Sequence, residues 1–228
     1  MPNECMKKLF IIANWKSNKT IEEAEKWFHD FSEKLKSEAL DLTSKEIIVC
    51  PSFTVLEHAN YCSKNLNLPI KFGAQNISPF DKGAYTGEIF GAQIKEFAQY
   101  VIIGHSERRQ NFSENNEMLS EKVLMAKKYN LTSIFCIQNE ETSIPQEIDV
   151  IAYEPPTAIG TGNPDTPENA QRVAKIVKEK TNAQYILYGG SVTSPNVKTF
   201  TNMPNIDGLL VGQASLDPIG FLQIIKNA

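Results

Sequence analysis

Cysteine is scarce here: four residues in 228, Cys5, Cys50, Cys62 and Cys136, with no CxxC pair among them. That is far too few for a disulfide scaffold, and Cys50 and Cys136 fall inside apolar runs where buried free thiols are expected. Histidine is scarcer still, at three residues. His29, His58 and His105 are far apart, and no HxH or HxxxH spacing occurs, so no metal site is expected. No GxGxxG or Walker loop follows a strand-like run, which argues against a dinucleotide or nucleotide cofactor. Long apolar runs are missing too. Nothing approaches the ~18 residues of a membrane span, and Leu9–Ala13, after Lys7 and Lys8, is shorter than the ~7–15 residues of a signal-peptide core. Net charge is −4 with no basic block, so neither nucleic acid nor an anionic membrane is an expected partner. A reduced, cytoplasmic enzyme is the expectation these absences leave.

What is present is an ordinary globular composition, 41% hydrophobic and 22% charged, enough to bury a real core. Eight short runs are rich in Ile, Val, Leu and aromatics: LFIIANW (9–15), EIIVC (46–50), IKFGAQ (70–75), YVIIG (100–104), TSIFCI (132–137), DVIAYE (149–154), AQYILYGG (183–190) and IDGLLVG (206–212). They read as strands buried on both faces. Helical patterns lie between them. From Thr20 to Lys36, apolar residues recur at Ile21, Ala24, Trp27, Phe28, Phe31 and Leu35, and Thr20 with Glu23 predicts a capping box. Thr166-Pro167 supplies an N-cap and an N1 proline before Ala170, Val173, Ala174 and Val177. Strands alternating with helices imply an α/β fold with a parallel sheet, and eight of them close a (β/α)8 barrel. With no linker or sequence repeat, residues 1–228 are expected to form one domain.

Two intervals depart from that pattern. Only Gln138–Ile148, containing Pro145, separates the fifth and sixth strands. A parallel crossover takes about 10–12 residues even when compact, so the connection is a short helix or a turn, or the strand count is wrong. Conversely, Asn76–Gly91 has no helical period and reads as a long loop, functional or disordered by composition.

In such a barrel, functional groups sit at the C-terminal ends of strands. That rule selects Asn14 and Lys16 after strand one, His105 after strand four, Glu154 after strand six, Gly189-Gly190-Ser191 after strand seven and Gly212 after strand eight. Taken singly, each has a bland reading: a solvated charge, a structural histidine, an ordinary turn. Their convergence on one face is what raises them. His105 precedes Ser106-Glu107-Arg108-Arg109, a plausible helix start whose backbone N–H groups disfavour a nearby cation, so the imidazole is expected to be neutral. Glu154, at the mouth of an apolar strand, is expected to be partly desolvated and a stronger base. Glycine-rich turns suit a phosphate because backbone N–H groups can approach it closely. Together these groups describe proton shuttling beside the carbonyl of a phosphorylated substrate.

The motifs ANWK (13–16), AQN with GAYTGE (74–76, 83–88), IIGHSERR (102–109), AYEP with AIGTG (152–155, 158–162), YGGSV (188–192) and GLLVGQASL (208–216) closely resemble the triosephosphate isomerase family, in order and over essentially the whole chain. The resemblance implies a TIM barrel that interconverts glycerone phosphate and glyceraldehyde 3-phosphate through an enediolate, without a cofactor, in glycolysis and gluconeogenesis. It implies Glu154 as the base, His105 as the electrophile and proton shuttle, Lys16 as the cation facing substrate and phosphate, and Asn14 as a polar neighbour; this family is itself the standard illustration of that scheme. Gly160, Ser191 and the Gly212-Gln213 backbone match its phosphate nest, and Glu107 a carboxylate near Lys16. Loop 76–91 would be the interlocking loop of a homodimer, with Thr86 near the partner's site. Other phosphosugar isomerases or epimerases, and a non-catalytic phosphate-binding barrel, are the alternatives. The former typically carry His and Asp metal clusters that are missing here; the latter is opposed by Asn14, Lys16, His105 and Glu154 all being present. The departures are local. Pro156 and Thr157 stand where the lid usually has a bulky aliphatic and a Trp, Gln138-Asn139 replaces Gly-Glu, Gln213 replaces a glycine, and Asn163-Pro164-Asp165 replaces Lys-Thr-Ala. The two hinge prolines predict a pre-ordered lid.

Overall fold

The eight apolar runs do form eight strands, in a computed structural model that describes residues 8–38, 40 and 42–228. Cys5 lies outside the described residues. The strands are β1 (Leu9–Asn14), β2 (Lys45–Cys50), β3 (Ile70–Ala74), β4 (Tyr100–Ile103), β5 (Thr132–Ile137), β6 (Val150–Tyr153), β7 (Tyr185–Tyr188) and β8 (Gly208–Val211). They are joined in parallel, in sequence order, into a closed barrel. The seam is β1 on β8, from Phe10 opposite Gly208 to Ala13 opposite Val211. Around it stand α1 (Ile21–Glu38), α2 (Phe53–Asn65), α3 (Gly91–Lys95), α4 (Ser106–Asn111), α5 (Asn116–Lys128), α6 (Pro167–Lys180), α7 (Val197–Thr201) and α8 (Pro218–Asn227).

The helix starts follow from capping chemistry. Thr20 and Glu23 form the reciprocal box that opens α1, each backbone N–H donating to the other's side chain, at 2.7 and 3.3 Å. Thr166 Oγ1 accepts the Asn169 N–H at 3.2 Å with Pro167 at the first helical position. Trp15 packs on Trp27 and Phe28 of α1, and Trp27 in turn on Phe31 and on Phe221 of α8. That aromatic cluster anchors the first and last helices to the end of β1.

Strands buried on both faces place alternate residues inside and outside the barrel. One core fills the barrel with Phe10, Ile12, Ile48, Cys50, Tyr100, Ile102, Ile134, Cys136, Val150, Ala152, Leu187 and Leu210. The intervening residues, such as Ile11, Ala13, Val101, Phe135 and Ile151, pack outward against the helices. Counting two residues on from Ile12, Ala152, Leu187 and Leu210 gives Asn14, Glu154, Gly189 and Gly212. Period-two alternation thus delivers them to the C-terminal mouth.

The short connection between β5 and β6 contains no helix. Residues 138–149 form only turns and bends, so the eight-strand count holds and the connection is a turn. Thr142 Oγ1 accepts the N–H groups of Gln138 and Asn139 at 3.1 and 3.2 Å, closing the first turn. Loop 76–91 is a defined excursion. Its base is tied by Ser78 N–H to the Ile89 carbonyl at 2.9 Å, and residues 82–88 are all exposed. Phe80 and Tyr85 stack on each other at 4.3 Å while both remain exposed.

Candidate active site

Glu154 and His105 meet at the barrel mouth, each about nineteen-twentieths buried, at 3% and 5% exposure. His105 Nε2 lies 3.0 Å from Glu154 Oε1. Alternation along β4 would give the next inward place to Gly104; its φ of +71° turns the chain there. His105 follows as the N-cap of α4, where its Nδ1 accepts the Glu107 backbone N–H at 3.2 Å. A nitrogen that accepts cannot carry the proton, so the bond assigns the proton to Nε2, pointing at Glu154.

The expectation of a neutral imidazole therefore needs two parts. The cap favours the neutral tautomer, as the helix start predicts. Burial also works against protonation, but the adjacent Glu154 carboxylate, seconded by Glu107, outweighs it, and the net pKa of His105 is raised. The helix start is local in sequence to His105, whereas the carboxylate facing it arrives from the end of β6. Glu154 Oε1 is engaged with His105, whereas Oε2 is buried with no hydrogen-bond partner among the described residues. The carboxylate also meets the buried Cys136 thiol, and it lines the cleft with Oε2 taking no hydrogen bond from a described protein atom. Cys136 lines the barrel interior nearby. Its thiol is pushed well above the ordinary cysteine range, first by burial and then by the Glu154 carboxylate, so it is an inert wall.

Lys16 follows β1 with φ +53°, an uncommon backbone for a residue with a side chain. Its N–H donates to Asn14 Oδ1 at 3.1 Å, and Gln75 Nε2 donates to its carbonyl at 2.9 Å. Lys16 Nζ is ion-paired with Glu107, and its Cε lies 3.6 Å from where a side chain on Gly212 would begin. Ser191, after β7, also has positive φ, +50°. Gln213 opens a single 3-10 turn, Gln213–Ser215, with its side chain exposed, so the turn accepts a residue other than glycine.

The lid spans residues 155–166. Pro155 to Ala158 form a tight turn closed by the Ala158 N–H on the Pro155 carbonyl at 2.9 Å. Ser191 Oγ donates to the Ala158 carbonyl at 2.5 Å, drawing the lid over the mouth. Thr157, at the usual tryptophan place, is exposed, and its carbonyl accepts the Thr161 hydroxyl at 3.0 Å. The cleft so enclosed has a volume of about 570 Å³, and Asn14, Lys16, His105, Glu154, Gly160, Ser191, Gly212 and Gln213 all line it. One rim therefore offers a base and a donor, and the other offers a cation and glycine-rich backbone suited to an anion. Gln75 and Arg109 were not singled out from the sequence. Arg109 donates to the carbonyls of Gly104 at 2.8 Å and Cys136 at 3.1 Å, pinning the ends of β4 and β5. Gln75 ends the apolar run IKFGAQ and Arg109 ends the motif IIGHSERR, and neither position shows its distant backbone partners in the sequence.

A family model described as "Triosephosphate isomerase" matches residues 9–148 and 143–228. A triosephosphate isomerase of Dictyoglomus turgidum is 40% identical, with 97% of this chain and 100% of that protein covered. One from Mesomycoplasma hyopneumoniae is 38% identical, covering 98% of this chain and 100% of its own length. One from Gloeothece citriformis is 41% identical, with 97% and 99% covered.

Proposed function

The chain belongs to the triosephosphate isomerase family and interconverts glycerone phosphate and glyceraldehyde 3-phosphate, a reaction of glycolysis and gluconeogenesis, and we propose that Glu154, His105 and Lys16 carry it. The observation that carries the assignment is the buried His105–Glu154 pair lining the cleft, with its donor hydrogen on Nε2. The substrate replaces the 3.0 Å contact between the two groups: its carbonyl oxygen takes the Nε2–H of His105, and the proton-bearing carbon faces the Glu154 carboxylate so released. Glu154 takes the carbon-bound proton, leaving the electron pair to form the carbon–carbon double bond of the enediolate. His105 Nε2–H donates to the oxygen on which charge develops, and Lys16 stabilises that charge across the mouth. Return of the proton from Glu154 to the neighbouring carbon, with the matching exchange between oxygens at His105, completes the isomerisation. No redox partner is needed, because one carbon is oxidised as the other is reduced.

The phosphate is held by backbone N–H groups at Gly160, Ser191 and Gly212-Gln213, with Asn14 fixing the turn that presents Lys16. The lid excludes water from the enediolate. Residues 1–228 act as one domain, a reading supported by β1 and β8 closing the same barrel. The exposed, ordered tip of loop 76–91 supports a homodimer in which Thr86 approaches the partner's site. Among the described residues no helix is long and apolar enough to cross a membrane. Buried free thiols at Cys50, Cys62 and Cys136 support the cytoplasm as the location.

A coupled isomerase assay on the wild type and Glu154→Asp tests the reading. Robust wild-type turnover and a drop of ~10²–10³ in kcat for the variant are expected, since a repositioned base forfeits much of its contribution. A wild type no faster than buffer overturns it.

A further inference from the structure

The far hinge of the lid is fastened by a residue the reaction scheme does not use. Asp165 Oδ2 accepts the Tyr153 hydroxyl at 2.9 Å and Asn169 Nδ2 at 2.6 Å. Oδ1 accepts the Thr166 N–H at 2.8 Å, and the Asp165 N–H donates to the Tyr188 hydroxyl at 2.8 Å. Tyr153 is the last residue of β6, directly before Glu154, and Tyr188 is the last of β7, directly before Gly189-Gly190-Ser191. One residue therefore ties the hinge to both strands that present the base and the phosphate turn.

The network continues outward. Asn169 Oδ1 accepts Arg172 Nε at 3.1 Å and Nη2 at 3.0 Å. Arg172 Nη1 donates to Glu140 Oε1 at 2.6 Å, and Lys180 Nζ to the Glu140 carbonyl at 3.1 Å. Glu140 belongs to the helix-less β5–β6 connection, so an unbroken chain of polar contacts runs from that connection to the hinge. Among the described residues the near hinge has no such brace: it relies on its proline turn and on Ser191 Oγ.

We propose that Asp165 is a positioning residue for the isomerase reaction. Its side chain holds the far hinge of the lid closed over the cleft and, through Tyr153, sets the strand end that carries Glu154, while its backbone N–H keeps the hinge on Tyr188. Asn169, Arg172 and Glu140 brace it against the short connection. The inference rests on the isomerase reading, in which closure over the phosphate precedes proton transfer. An unbraced hinge leaves the closed complex less populated, so the loss falls on kcat/KM and KM rises.

The test measures kcat and KM for glyceraldehyde 3-phosphate, together with amide hydrogen exchange over residues 156–163, in the wild type, Asp165→Ala, Asp165→Asn and Tyr153→Phe. Asp165→Ala is expected to lose about 10- to 100-fold in kcat/KM, the scale of a small misplacement at a reacting centre. Its lid amides exchange faster while those of the barrel strands do not. Asp165→Asn recovers part of the loss: with its one amide oxygen in the place of Oδ2 it still accepts from Tyr153 and Asn169 but gives up the Thr166 N–H. Tyr153→Phe removes one neutral hydrogen bond and costs about 3- to 10-fold. The proposal is overturned if folded Asp165→Ala stays within about twofold of the wild type in kcat/KM, or if its Tm falls with lid exchange unchanged. Should Asp165→Ala not fold, a Tyr153→Phe variant with wild-type kinetics and lid exchange overturns it alone. An inactive wild type would instead remove the isomerase reading, and the exchange comparison would still report on the hinge.

Discussion

Two glutamates are buried at opposite ends of the barrel interior, and they differ in how fully they are satisfied. Glu46 lies near the start of β2, at the N-terminal end, and accepts the Tyr100 hydroxyl at 2.7 Å, Lys8 Nζ at 2.7 Å and an ion pair from Lys71. Burial acts to raise its pKa, but those donors outweigh it and the net shift is downward. Glu154, at the C-terminal mouth, has His105 on one oxygen and the Cys136 thiol beside it, and among the described residues no hydrogen-bond donor reaches Oε2. The same residue type is thus locked as a carboxylate at one end and left with a free acceptor at the other. Satisfaction turns a buried charge into structure, and its lack keeps the charge available for chemistry.

The largest expected consequence is at Glu154. Glu154→Gln keeps the shape and removes the base, so kcat falls about 10²- to 10⁴-fold, while the melting temperature holds or rises because an under-satisfied buried charge is gone. Steady-state kinetics and a thermal melt read both. Next is His105→Gln, which loses the donor aimed at the developing oxyanion and costs about 10²- to 10³-fold in kcat. Glu46→Gln reverses the pattern. Its kcat stays at the wild-type level, and the fold loses about 1–2 kcal/mol, a figure kept low because Lys8 and Lys71 are half-exposed and rehydrate. That corresponds to a drop in Tm of about 3–6 °C for a chain of this size.

The pH dependence sharpens the contrast further. The folded pKa of Glu46 is depressed, so its contribution is present above the unfolded value of about 4.3 and lost as pH falls through the folded one. The Tm gap between the wild type and Glu46→Gln should therefore narrow in acid. His105 has the opposite sign. Its folded pKa is raised, so its contribution is full below about 6.5 and is lost as pH rises through the folded value. A Tm gap between the wild type and His105→Gln that widens towards alkaline pH would contradict that sign.

The parts legible in the sequence are those written in local pattern. TSIFCI becomes β5 residue for residue, and the Thr20–Glu23 box opens α1 where it should. Strand parity brings Asn14, Glu154 and Gly212 to one mouth. The length of 138–148 excludes a full helix between β5 and β6 but leaves a short helix, a turn or a different strand count open. The parts that stayed hidden depend on partners far apart in the chain. EIIVC gives no hint that Glu46 is buried among Lys8, Lys71 and Tyr100, which come from three other segments. Asp165 reads as a hinge residue until Tyr153 and Tyr188 converge on it. The proton on His105 can be assigned only once Glu107 N–H and Glu154 are both in place.

Solvent exchange during turnover probes the base most directly. Substrate isomerised in D2O by the wild type and by Glu46→Gln should acquire deuterium at the carbon that Glu154 reprotonates, because the proton it holds equilibrates with solvent between removal and return. Glu154→Gln should incorporate none above the uncatalysed background. Deuterium incorporation by Glu154→Gln at the wild-type rate, or its loss in Glu46→Gln, would contradict the assignment of Glu154 as the base.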